Sequence, residues 1–180
     1  MILTVEELRR HVTTDEEDQA LEERLSALEL LIRAYTHNNF QQRAVRRMAD
    51  IEHGTMVMAS NPFRVGDTVQ VTESDFNDGL YTVTAADDAT ITVNKNTFDE
   101  DDLYVTRVVY PMDVKMGVVN LMKWELERRD KVGVASETIS RHSVTYESMT
   151  DDNSIMGYPK SLMGFLKPYM KARFGQGVRV

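Results

Sequence analysis

The hydrophobic period of this chain changes twice, and that double change limits the folds open to it more than any single motif does. Leu21, Leu25, Leu28, Ile32 and Tyr35 step by four, three, four and three, the spacing of one helix face packed against partner helices. From about Gln41 the period falls to two. Strand-like runs follow at Val69-Gln70-Val71, Leu80-Tyr81-Thr82-Val83, Ile91-Thr92-Val93 and Tyr104 to Val109. Turn signals separate them at Asn61-Pro62, Val65-Gly66-Asp67, Asn77-Asp78-Gly79 and Ala86-Asp87-Asp88. After Pro111 the helical spacing returns, with Val114, Val118, Leu121, Met122 and Leu126 on one stripe. Helices at both ends and a β module between them satisfy both periods.

Local signals refine this outline. Thr4-Val5-Glu6-Glu7 and Thr14-Asp15-Glu16-Glu17 both fit the capping box, so two helices are expected to begin there, the first short with Val5, Leu8 and Val12 inside. The second is a plain bundle helix, too short for a heptad coiled coil, and Asn38-Asn39 suits its left-handed end. Arg43 to Ile51 is expected to be a strand leading into the β module. Pro111 fits the first helical position with Asp113 in the favourable first turn, and the helix is expected to stop near Asp130. Lys131 to Tyr146 has no helical period and is expected to be a shaped loop running into a short strand. Pro159 is expected to open a short helix with Leu162, Phe165 and Leu166, kinked or restarted at Pro168. The predicted fold class is α+β: a small α-helical bundle, residues 1–40 and 111–180, with an inserted small antiparallel β-barrel or sandwich, residues 41–110.

Composition removes several function classes. A chain of 180 residues buries roughly 70% of its unfolded surface and needs no staples. With no cysteine, zinc sites of the CxxC kind and thiol nucleophiles are excluded. A formal charge of −8 argues against a general nucleic-acid binder. No stretch approaches a membrane span, and the start lacks a basic leader, so a cytoplasm, or something assembled there, is the expected location. From Pro159 onward there is no Asp or Glu, yet Lys160, Lys167, Lys171, Arg173 and Arg179 are present. That asymmetry favours head-to-tail contacts between copies or docking on an acidic partner.

Chemistry-bearing constellations are weak. His11, His37, His53 and His142 are scattered without HxxxH or HExxH spacing, and in Ser140-Arg141-His142-Ser143 sequence neighbours on a strand point to opposite faces, a poor arrangement for a Ser–His dyad. Asp99-Glu100-Asp101-Asp102 is the strongest cation candidate, but without calcium-loop spacing it is better explained as a solvated loop between strands. Asn77-Asp78-Gly79 suffices as a hairpin turn. No phosphate-binding GxxxxGK[ST] is present. Tyr158, Phe165, Tyr169 and Phe174 interleave with Lys160, Lys167, Lys171 and Arg173, a pattern that fits a protein interface better than a DNA-stacking surface. The expectation is a protein that is not an enzyme, with no cofactor and no metal.

Met116 to Trp124, Arg129 to Tyr146 and Gly157-Tyr158-Pro159-Lys160-Ser161-Leu162-Met163-Gly164-Phe165-Leu166-Lys167-Pro168-Tyr169 together resemble a known family. It is the head-to-tail connector, or head-completion adaptor, of long-tailed phages and prophages of Gram-positive bacteria, of the YqbG type. Asn61 to Thr92 is similar to an insert that only some members carry. The resemblance implies a virion subunit forming a ring of about twelve copies beneath the portal protein, extending the channel for double-stranded DNA and docking the stopper or tail-completion protein. About twelve copies at this charge make an acidic collar through which DNA passes without being gripped. Trp124, Ser136, Glu137, Arg141, His142, Phe165, Lys167, Tyr169, Lys171 and Arg173 are then the expected contact residues. The alternative is a stand-alone module whose β insert binds nucleic acid or a host surface.

Overall fold

The computed structural model describes residues 1–128, 136–139, 142–145 and 152–172; for 136–139 and 142–145 the backbone alone is described. It separates into two compact units, one formed by Met1–Ile2 and Asn38–Tyr110, the other by Leu3–His37 and Pro111–Val180.

The first unit is a closed six-stranded barrel. Its strands are β1 (Gln41–Glu52), β2 (Thr55–Val57), β3 (Thr68–Thr72), β4 (Gly79–Ala86), β5 (Thr90–Val93) and β6 (Glu100–Val108). They neighbour one another in the order β1-β2-β5-β4-β3-β6, and every pairing is antiparallel. Alternation builds the interior. Val69, Val71, Ile91, Val93, Leu103 and Val105 point inward, while Gln70, Thr92 and Tyr104 between them do not. Closure depends on the twelve-residue β1, which pairs with β2 at one end and β6 along its length, with register shifts between Gln41 and Arg46 and between Ala49 and Ile51. At the second shift Asp50 accepts the Asp102 N–H at 2.9 Å, and Asp102 takes a left-handed φ of 59°. His53-Gly54, with φ of 52° and 79°, forms the two-residue turn from β1 to β2.

The second unit contains α1 (Val5–Arg9), α2 (Asp18–Thr36) and α3 (Met112–Arg128), the hairpin of β7 (Ser136–Ile139) and β8 (His142–Thr145), a small pairing of β9 (Ser154–Ile155) with β10 (Tyr158–Pro159), and a 3-10 helix, Gly164–Tyr169. The predicted stripes are its core: Leu21, Leu25, Leu28 and Ile32 of α2, and Val114, Val118, Leu121 and Met122 of α3, are buried. Arg24 joins the two long helices, binding Glu16 through two contacts at 3.0 Å and Glu125 at 3.4 Å. Among the described residues no helix is long and apolar enough to cross a membrane.

Several sequence expectations need correction. The chain is β-rich and not a helical bundle carrying a small β insert. The helices have 5, 19 and 17 residues, the barrel strands 12, 3, 5, 8, 4 and 9, and the barrel closes around a core of its own. The first capping box forms, but the second does not: α2 starts at Asp18 with no side-chain cap. Competing partners explain this. The Thr14 hydroxyl accepts the Glu16 N–H at 3.2 Å, and Arg9 holds the Thr14 and Glu16 carbonyls. The left-handed end of α2 is His37, not Asn38. Asn77-Asp78-Gly79 is not a tight turn but the end of a longer connection, and Glu100 to Asp102 belong to β6 rather than to a loop. Pro159 lies in β10, and the expected helix begins only at Gly164.

Candidate interaction surface

In the barrel order, β5 and β6 are not neighbours; β4 and β3 stand between them. The connection 94–99 must therefore cross one end of the barrel, where it meets the β3–β4 connection 73–78. Asn77 joins the two. It is 1% exposed, and its side chain donates to the Phe98 carbonyl at 3.1 Å and to Glu100 at 2.7 Å while accepting the Phe98 N–H at 2.8 Å. Its carbonyl accepts the Tyr81 hydroxyl at 2.8 Å, and its N–H donates to the Ser74 hydroxyl at 2.6 Å. Glu100 completes the frame, accepting from the Ser74 hydroxyl at 2.5 Å and the Asp75 N–H at 2.6 Å.

These bonds set the electrostatics of the frame. The Ser74 hydroxyl, with the Asp75 and Phe76 N–H groups and the Asn77 amide, outweighs desolvation and holds the Glu100 carboxyl below its ordinary value. Burial, with the Asp78 charge, pushes the Tyr81 hydroxyl up, so it remains a donor.

The frame carries two rings into solvent. Phe76 is 71% exposed and Phe98 68%, yet their centroids lie only 6.3 Å apart in an edge-on arrangement. Glu73, Asp75, Asp78 and Asp99 are exposed in the same two connections. No Lys or Arg forms an ion pair with them among the described residues. The nearest cation in sequence, Lys95, donates to the Leu80 carbonyl at 2.8 Å and lies over the Tyr81 ring. An exposed apolar pair in two connections that also carry four exposed carboxylates can bind, and it attracts positive charge.

Compared with known proteins, the chain matches no family model and no curated protein. The site therefore rests on its own geometry.

The residues singled out from the sequence lie in the other unit. Trp124 is half-buried with its ring 5.4 Å from that of Tyr158, whose hydroxyl donates to Glu125. Phe165 packs on α3 at Gly117, where an added Cβ would lie 2.4 Å from the ring. Tyr169 donates to the Asp113 carboxylate, 2.7 Å from both oxygens; that bond, with burial and the Asp113 charge, pushes its hydroxyl up. Lys167 and Lys171 are exposed, and the Lys171 N–H donates to the Thr36 carbonyl at 2.8 Å. Ser136, Glu137 and His142 belong to the β7–β8 hairpin, whose side chains are not described, and Arg141 and Arg173 lie outside the described residues. Asp99, Glu100 and Asp102 do not converge: Asp99 accepts the His53 N–H, and Glu100 is held by the frame. Among the described residues no three His, Cys, Asp or Glu side chains are grouped as for a metal ion.

Phe76 and Phe98 were not predicted from the sequence. The available signal is a lone phenylalanine inside each of two acidic stretches, Asp75-Phe76-Asn77-Asp78 and Thr97-Phe98-Asp99-Glu100.

Proposed function

We propose that this chain is a structural subunit of a phage or prophage head-to-tail connector, a head-completion adaptor that forms a ring beneath the portal, extends the DNA channel and docks the stopper or tail. The observation that carries the reading is the fixed, solvent-facing Phe76–Phe98 pair. Pre-ordered aromatic rings are the chemistry of contact, because they bury large apolar area at little entropic cost. The resemblance of Met116 to Trp124, Arg129 to Tyr146 and Gly157 to Tyr169 to connector adaptors supplies the partner class. The negative charge of each copy suits a channel wall that lets DNA slide. In this reading the barrel is a second mating module in addition to the helical unit. The protein would be assembled in the host bacterial cytoplasm and retained in the virion.

The test is to mix the full chain with the portal protein of the same phage and measure the mass of the eluting species. Co-elution as a portal bearing a ring of this chain is the expected result. An unchanged portal peak, or tight salt-dependent binding of duplex DNA by the chain, would overturn the assignment, and the DNA result would favour a nucleic-acid-binding module.

A further inference from the structure

We infer that the Phe76–Phe98 end of the barrel is a docking surface for a second copy of this chain, which presents its cationic segment around Lys160, Lys167 and Lys171. This goes beyond the portal assignment and does not depend on it.

The surface selects its occupant by charge. Glu73, Asp75, Asp78 and Asp99, exposed in the same two connections as the rings, repel phosphate backbones and anionic lipid headgroups alike. The barrel region 38–110 as a whole carries twelve Asp and Glu against six Lys and Arg. What fits is a polypeptide surface with positive charge and some apolar reach. The chain supplies one: from Pro159 to Val180 it has five Lys and Arg and no carboxylate side chain. Within the described part, Lys160, Lys167 and Lys171 are exposed, and Met170 beside Lys171 is 47% exposed. A thioether and lysine stems are suitable partners for phenylalanine faces, the ammonium groups reaching the rim carboxylates.

The geometry makes this contact heterologous. The barrel end and the basic segment are different patches, so a copy that donates one still offers the other, and repetition gives a ring or an open chain. Little backbone ordering is needed on binding, because Asn77 and Glu100 already hold both loop backbones that carry the rings.

Sedimentation of the full chain, without portal, at micromolar to millimolar concentration and at low and high salt tests the inference. The expected result is a mass that rises with concentration and rises less at high salt. Phe76→Ser/Phe98→Ser should weaken association about tenfold or more with far-UV circular dichroism unchanged. Two charge-reversed variants complete the test: Glu73→Lys/Asp75→Lys, whose side chains are outside the hydrogen-bonded frame, and Lys167→Glu/Lys171→Glu. Each should be monomeric alone, and a mixture of the two should associate, because each then offers the other a complementary patch. A monomer at every concentration, association indifferent to the phenylalanines, or a mixture that stays dissociated would each overturn the inference.

Discussion

Gly117→Ala should change the sign of its effect according to what stands at position 165. Gly117 is buried in the middle of α3, where alanine is favoured over glycine by about 0.8–1 kcal/mol. A Cβ there would lie 2.4 Å from both Cε2 and Cζ of Phe165 and 2.5 Å from Cδ2. Carbon atoms pack at about 3.5–4.0 Å, so the ring would have to withdraw by roughly an ångström or more. It cannot do so freely, since Leu166 and Met163 beside it are buried at 0% and 1% exposure. Overpacking of this kind costs about 1–3 kcal/mol, so the net effect in the natural background is a loss of up to about 2 kcal/mol. In a Phe165→Ala background the clash is gone and only the helix term remains, a gain of about 1 kcal/mol. The coupling in the double-mutant cycle is therefore about 1–3 kcal/mol.

Urea unfolding followed by Trp124 fluorescence is the appropriate assay. Trp124 is the single tryptophan and sits on α3 itself, so its signal follows the helical unit whether or not the barrel unfolds separately. If Gly117→Ala stabilised both backgrounds equally, the ring would not lie over Gly117, and the docking of the 3-10 helix on α3 would be refuted.

Two further perturbations probe the capping and framing contacts. Asn77→Asp replaces an amide that donates to Phe98 and Glu100 with a carboxylate that repels Glu100; about 2–4 kcal/mol of barrel stability should be lost, and less in acid, where a proton taken up by the pair relieves the repulsion. Faster hydrogen exchange at the Phe98 amide would register it, and unchanged protection would refute the frame. Burial raises the Glu7 carboxyl, but the Thr4 N–H and the Lys115 ammonium outweigh it and leave the folded value below the ordinary one. Its contribution is therefore present above the unfolded carboxyl range and is lost as pH falls through the folded value. Because the Glu7 side chain is 37% exposed, Glu7→Gln should cost less than about 1 kcal/mol at pH 7. The two proteins should converge in strong acid, and a difference that persisted there would show that the carboxylate is not the cause.

What the sequence disclosed follows from the range of the interactions involved. The stripes of α2 and α3 and the inner residues of β3, β5 and β6 are local periodicities, and they appear as such. Closure of the barrel is not local, because it depends on β1 pairing with β6 across two register shifts that no period announces. β2 is three residues long with one buried side chain, Met56, so its pattern is too short to detect, although the left-handed His53-Gly54 turn was a usable clue. The second capping box failed for a different reason. Its groups were present, but the Thr14 hydroxyl accepts the Glu16 N–H, while Arg9 of the preceding helix holds the Thr14 and Glu16 carbonyls. The same limit hid the contact surface: Phe76 and Phe98 are far apart along the chain and become neighbours only because the β5–β6 connection must cross the barrel end.

The contrast between Asn77 and the two phenylalanines is the strongest internal argument that this end of the barrel serves recognition. Burying an amide is unfavourable unless its donors and acceptor are satisfied, and Asn77 meets that condition with bonds that all serve the two loops bearing the rings. The rings themselves return little to the folded chain, since about 70% of each stays in water. A connection needed only to close the barrel would be equally stable, and more soluble, with serine at both positions. A buried polar frame that fixes two rings without sheltering them gives the folded chain orientation in place of stability. Orientation has value only when a second surface meets it, which is why Phe76→Ser/Phe98→Ser is expected to leave unfolding nearly unchanged while weakening association.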